Sequence, residues 1–146
     1  MHPPEPATSM IAVMTCRDPR LIQEVLAGAS ALGESRSDPE GALNHWLAEG
    51  VAFLVAFADA RAVGFLAYRW TEGALRIDHV AVRDDHRRVG VARRLMQAIE
   101  AIGSALGTRN LSFELPPECR ATFERYGYER SEAAPGDRVM MIKSLL

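Results

Sequence analysis

Lysine is almost missing from this chain. Lys143 is the only one in 146 residues, so every basic side chain other than histidine and Lys143 is an arginine. That skew reflects the codon bias of a GC-rich genome more than chemistry. Cysteine is also scarce. Cys16 and Cys119 make no disulfide framework, and no cysteine–histidine spacing suggests zinc, so no metal is expected. No apolar run approaches the roughly 20 residues of a membrane span. The first nine residues hold three prolines and lack the basic start and apolar centre of a signal peptide. Positive charge is not in excess, since 17 Lys and Arg face 19 Asp and Glu. A net charge of −2 and the lack of any aromatic–basic pattern argue against a nucleic-acid binder. What remains is an ordinary soluble composition, 48% hydrophobic and 25% charged, in a length that suits one domain. Residues 1–9 are expected to form a flexible tail and 10–146 the domain, located in the cytoplasm.

Periodicity then divides the chain. Residues 10–16 read as a strand, and Asp18-Pro19 supplies a helix N-cap followed by proline at the first helical position. Leu21, Ile22, Val25, Leu26, Ala29 and Leu32 form one helical stripe. Asp38-Pro39 starts a second helix by the same device, with Leu43, Trp46 and Leu47 inward and Gly50 at its end. Residues 51–57 are apolar on both faces, which predicts a fully buried strand. Residues 62–70 and 75–82 follow as antiparallel partners. Val91, Leu95, Ile99, Ile102 and Leu106 are spaced as one face of a helix. Residues 111–115 read as a strand, Pro116-Pro117 opens a short helix that Gly127 closes, and 139–145 form a final strand.

The densest chemical signal is Arg83-Asp84-Asp85-His86-Arg87-Arg88-Val89-Gly90-Val91-Ala92-Arg93-Arg94. A strand that turns through small residues into a helix leaves backbone N–H groups unpaired at the helix start, where the helix dipole is positive. That combination suits a phosphate. Gly90 and Ala92 keep side-chain bulk off the loop. The spacing excludes a P-loop, because no Lys-Ser or Lys-Thr follows Gly90, and it excludes a dinucleotide fingerprint, because only one glycine is present.

Arg87-Arg88-Val89-Gly90-Val91-Ala92, between a strand and a helix, resembles the coenzyme-A-binding motif of the GCN5-related N-acetyltransferases (GNAT). The predicted element order, β-α-α-β-β-β-α-β-α-β with room for one more strand, is similar to that mixed α/β fold over the whole chain. A second motif agrees. Pro117-Glu118-Cys119-Arg120-Ala121-Thr122-Phe123-Glu124-Arg125-Tyr126-Gly127-Tyr128 keeps the family's Ala, Gly and closing aromatic, as Ala121, Gly127 and Tyr128. Cys119 stands where the family commonly has Asn. Phe123 stands where many members have a Tyr that protonates the leaving thiolate.

The resemblance implies a single N-acetyltransferase domain. It would transfer acetyl from acetyl-CoA to an amine of a small molecule or peptide by direct attack in a ternary complex. No nucleic acid or membrane is implied, and a homodimer is left open. The pantetheine arm would lie between strands 75–82 and 111–115, against Val80, Ala81, Val82, Cys119 and Phe123. A backbone N–H of residues 80–82 would hold the thioester oxygen. The phosphates would lie on Arg87, Arg88, Val89, Gly90, Val91, Ala92 and Arg93, while Arg83 and Arg94 are either ligands or solvated. The acceptor would lie between the loops 33–37 and 131–137, where Glu34, Glu132 and Asp137 lend a slight acidic tone.

A lysine-like amine is only about 0.1% neutral at pH 7, so a base is useful. Strict alternation puts Arg76, Asp78, Val80 and Val82 on one face and Ile77, His79 and Ala81 on the other. Family bases lie on this strand, and Asp78 occupies such a position. It is either the base, an anchor for the acceptor amine, or the partner of Arg76. His79 would need a β-bulge to turn toward Asp78's face and otherwise reads as an interior histidine. Cys119 is read as packing or a pantetheine contact rather than a nucleophile. Tyr126 is read as core, or else as a substitute for the missing acid. A non-catalytic acyl-CoA sensor on the same fold is the alternative that Phe123 keeps open.

Overall fold

The elements of the fold are β1 (Ile11–Thr15), α1 (Pro19–Gly28), α2 (Pro39–Ala48), β2 (Ala52–Ala58), β3 (Arg61–Thr71), β4 (Ala74–Val82), α3 (Val91–Ala105), β5 (Asn110–Leu115), α4 (Arg120–Arg125), β6 (Glu129–Ser131) and β7 (Val139–Ser144). The computed structural model describes residues 11–29, 39–71, 73–87, 89–131 and 138–145. Arg88, Leu32, the tail 1–9, the loop 33–37 and residues 132–137 of the last loop therefore lie outside the described residues, with Glu34, Glu132 and Asp137 among them. No helix among the described residues is long and apolar enough to cross a membrane.

The strands form one seven-stranded sheet in the order β1-β2-β3-β4-β5-β7-β6. Only the β4–β5 pair is parallel, which α3 makes possible by carrying the chain back across the sheet. The optional strand of the predicted order is present as β6. It holds three residues, too short for alternation to reveal it.

Local chemistry explains the boundaries. The Asp18 carboxylate accepts the Arg20 backbone N–H at 3.0 Å and caps α1. Gly50 follows α2 with φ of 72°, a left-handed conformation that glycine adopts without strain.

Helices cover both faces of the sheet, as a strand apolar on both sides requires. On one face Val91, Leu95, Met96 and Ile99 of α3 pack with Leu54, Leu66, Leu75 and Leu111. On the other, Ile22 and Val25 of α1 and Leu43 and Trp46 of α2 pack with Phe53, Val55 and Phe65. The expected double burial of β2 is visible here, with Leu54 and Ala56 in the first core and Phe53 and Val55 in the second.

Gly64 lets α3 seat its first turn against β3. A Cβ there would lie 2.7 Å from Val91 Cγ1 and 3.1 Å from the Ala81 carbonyl oxygen. Neither atom belongs to a side-chain end that can swing away. Gly64→Ala should therefore destabilise the fold by about 1–3 kcal/mol in urea titration, as overpacked cores do. Adding Val91→Ala should return part of that loss, and an unchanged midpoint for Gly64→Ala would refute the close approach.

Candidate active site

The β4–β5 ladder begins at Ala74↔Asn110 and ends at Ile77↔Phe113. β4 continues to Val82 and β5 to Leu115, so the two strands part after four pairs. The separation coincides with a bulge. On the β3 side, Ala67 pairs with His79 and Tyr68 with Ile77, which leaves Asp78 as an extra residue on β4.

One extra residue inverts alternation beyond it, and this corrects the sequence reading. Leu75, Ile77, Val80 and Val82 all pack toward the α3 core, while Ala81 faces the α1–α2 core. Ile77 and His79 do not share a face. The His79 ring lies 5.2 Å from Trp46 and 5.8 Å from Phe65, among the aromatics of the α2 side.

The Asp78 side chain, 11% exposed, is held chiefly by an arginine that sequence proximity did not suggest. Arg69 on β3 brings Nε to Oδ2 at 2.8 Å and a second guanidinium nitrogen at 2.7 Å. Arg76, the expected partner, stands farther off, with Nε 3.7 Å from Oδ1. The chain of charge extends both ways. Arg69 also reaches Glu49 at 3.2 Å, Arg76 reaches Glu114 at 3.2 Å, and Arg138 meets Glu114 at 3.1 Å. The Asp78 hydrogen bond raises the Arg69 pKa further, so this guanidinium is always charged. A cleft of about 320 Å³ opens over this network, walled by Trp46, Arg69, Asp78, Glu114 and Arg138.

At the end of β4 the chain turns toward α3. The Arg83 N–H donates to the Val63 carbonyl at 2.8 Å, residues Asp84–His86 form a short helical turn, and Gly90 precedes α3 with φ of 88°. No side chain caps α3, and its first backbone bond is Arg94 N–H to the Gly90 carbonyl at 3.0 Å. The amides of Val91, Ala92 and Arg93 therefore precede the first helical bond, at the positive end of a 15-residue helix. A Cβ on Gly90 would meet no atom within 4 Å, so glycine is required for its backbone angle and the space above the loop is open. These features fit a pyrophosphate.

The cations of the loop divide into roles. Arg83 binds the Asp85 carboxylate at 3.3 Å and packs so closely that a Cβ on Gly28 would lie 2.9 Å from its guanidinium carbon. Arg94 donates to the Ile11 carbonyl at 3.1 Å. Arg83 and Arg94 thus tie α1 and β1 to the loop, Arg94 while remaining exposed. Arg87 pairs with Asp84 at 3.1 Å, and Arg93 is exposed on the first turn of α3.

Phe123 lies beside the point where the strands part. Its ring is edge-on to Phe113, the last β5 residue paired with β4, at 5.2 Å. Tyr126 and Tyr128 each lie 5.8 Å from it. Tyr128 is buried, and burial raises its pKa, so its hydroxyl stays protonated. Cys119 is half-buried, and burial together with Glu118 raises its pKa, so it is a thiol at neutral pH. Lys143 forms an ion pair with Glu100 and donates to the Tyr126 carbonyl at 2.8 Å.

A family model described as an acetyltransferase (GNAT) domain matches residues 23–138, and the chain belongs to that family. No curated protein sequence matches it. Solved structures share the fold at low identity. The ribosomal-protein-S18-alanine N-acetyltransferase from Escherichia coli superposes with a TM-score of 0.77 at 16% identity, covering 93% of this chain and 94% of that one. The PaiA N-acetyltransferase from Thermoplasma acidophilum, in complex with coenzyme A, gives 0.74 at 15%, covering 92% and 99%. Ard1 from Thermoplasma volcanium gives 0.72 at 17%, covering 93% and 98%.

The Asp85 carboxyl is pulled down to about 2, first by its hydrogen bond with His86 and then by Arg83. A depressed carboxyl adds stability that is present above its unfolded value near 3.8 and is lost as pH falls toward 2. Asp85→Asn should therefore flatten acid destabilisation between about pH 4 and pH 2. Superimposable melting curves of variant and wild type across that range would refute the pairing.

Proposed function

We propose that this GNAT-family protein transfers acetyl from acetyl-CoA to an amine by direct attack within a ternary complex. The observation that carries the reading is the parting of β4 from β5 directly before an uncapped helix N-terminus at Gly90. Acetyl-CoA supplies an acetyl thioester. The α3 amides and Gly90 would bind its pyrophosphate, with Arg93 and Arg88 as cationic neighbours. From Asp78 to Val82, β4 has no β5 partner among the described residues, which leaves its edge available to the pantetheine amides and to the thioester oxygen. Cys119 and Phe123 would line the same opening.

The acceptor amine sheds a proton, its nitrogen forms a bond to the acetyl carbon, the C–S bond breaks, and the thiolate takes up a proton. In the family many members place a Tyr where this chain has Phe123. A thiolate of pKa about 8.5 leaves readily without a side-chain acid. Asp78 Oδ2 already accepts both Arg69 donors, which favours an orienting or amine-anchoring role over general base.

Gly90→Glu should abolish acetyl-CoA binding in calorimetry while the protein stays folded, through bulk and like charge at the phosphates. Gly90→Ala should weaken binding less, through backbone strain alone. Wild-type affinity in a folded Gly90→Glu variant would remove the reading.

Asp78→Asn should lower kcat less than about tenfold while reducing stability. A loss of roughly 10²–10⁴ with acetyl-CoA affinity kept would instead assign it the base. Phe123→Tyr should change turnover by no more than about tenfold. Activity that appears only in Phe123→Tyr would favour the acyl-CoA sensor.

A further inference from the structure

The cleft over Asp78 shares Arg138 as a wall with a second cavity of about 420 Å³, bounded by Arg120, Arg130, Arg138 and Glu118. Both are rich in arginine, but the inner cleft sets Arg69, Arg76 and Arg138 against two carboxylates, Asp78 and Glu114, whereas the outer has one. In the inner cleft Asp78 commits Oδ2 to Arg69, whereas among the described residues Oδ1 has only Arg76 at 3.7 Å, beyond hydrogen-bond length. That oxygen keeps capacity for a donor. The outer cavity presents three arginines and one carboxylate on a chain whose net charge is −2. Arg138 is anchored to the side chain and backbone carbonyl of Glu114, and Arg120 to Glu124. Arg130 on β6 is exposed and makes no ion pair among the described residues.

We infer that the acceptor is an amine whose own molecule carries carboxylate, with its nitrogen directed to Asp78 and its anionic part lying past Arg138 on Arg130. The inference rests on the acetyltransferase reading and deepens it. Arginine forks match carboxylates geometrically, and an acceptor bearing only positive charge would meet three guanidinium groups and one carboxylate in the outer cavity, with Arg130 exposed among them. Arg130 then acts as a specificity residue, since it lies in the outer cavity and not in the cleft over Asp78.

The test is thiol release with acetyl-CoA across four acceptors: glutamate, a peptide with acidic residues after its free N-terminus, spermidine and an aminoglycoside. One of the two carboxylate-bearing amines is expected to turn over best, and which of them does so distinguishes a free amino acid from a chain terminus. Arg130→Glu should raise its KM about tenfold, with kcat and acetyl-CoA affinity within twofold. Preference for spermidine or the aminoglycoside, or a KM unmoved by Arg130→Glu, overturns the inference. Calorimetry of the acidic peptide and of glutamate with the protein alone supplies a readout that needs no turnover. Binding by either, weakened in Arg130→Glu, upholds the anion site even if acetyl transfer fails, and binding by neither overturns it. Failure of acetyl-CoA to bind would count against the proposed function separately.

Discussion

One surplus residue in β4 is the constraint on which the site depends. Asp78 adds a residue that β3 does not match, and three features meet at the same shift. Pairing with β5 ends one residue earlier, at Ile77. Val80 and Val82 turn into the α3 core, while His79 turns into the aromatic group around Trp46. The charged side chain at the shift is then held by Arg69 from across the ladder. A regular strand would have put His79 in the same core as Ile77. The opening between β4 and β5 thus coincides with a register defect on the β3 side and with an ion pair at the same residue.

Much of this architecture was legible in the sequence because it rests on short-range chemistry. Asp18 caps α1 as its position before Pro19 suggested, and Gly50 and Gly90 take the left-handed angles that end one helix and precede another. The α3 stripe was readable because Val91, Leu95 and Ile99 repeat at helical spacing over several turns. The parting of β4 and β5 followed from the family resemblance and is seen in the ladder.

What was not legible depends on register between distant segments. Nothing around Asp78 signals a bulge, since neither glycine nor proline is there, and strict alternation assigned Val80 and Val82 to the wrong face. Arg69 and Asp78 are nine residues apart on neighbouring strands, and their contact is a diagonal one set by the cross-strand register that pairs Arg69 with Arg76. Glu49, Glu114 and Arg138 join the same network from α2's end, from β5 and from the residue before β7. In the phosphate loop, counting cations overstated what is available to a ligand. Arg83 and Arg94 are structural ties, and acids beside them in sequence neutralise Arg83 and Arg87.

The scarcity of lysine acquires a chemical meaning once Lys143 is located. This family moves acetyl groups, yet the chain carries one side-chain amine, and that amine is engaged by Glu100 and by the Tyr126 carbonyl. An ammonium held in an ion pair is a poor nucleophile. The protein therefore offers activated acyl donors one side-chain amine, and that one is engaged, so acylation of side-chain nitrogen has a single, poorly reactive site. Reagents that couple through amines will mark it poorly for the same reason, whereas its sixteen arginines leave it open to reagents selective for guanidinium.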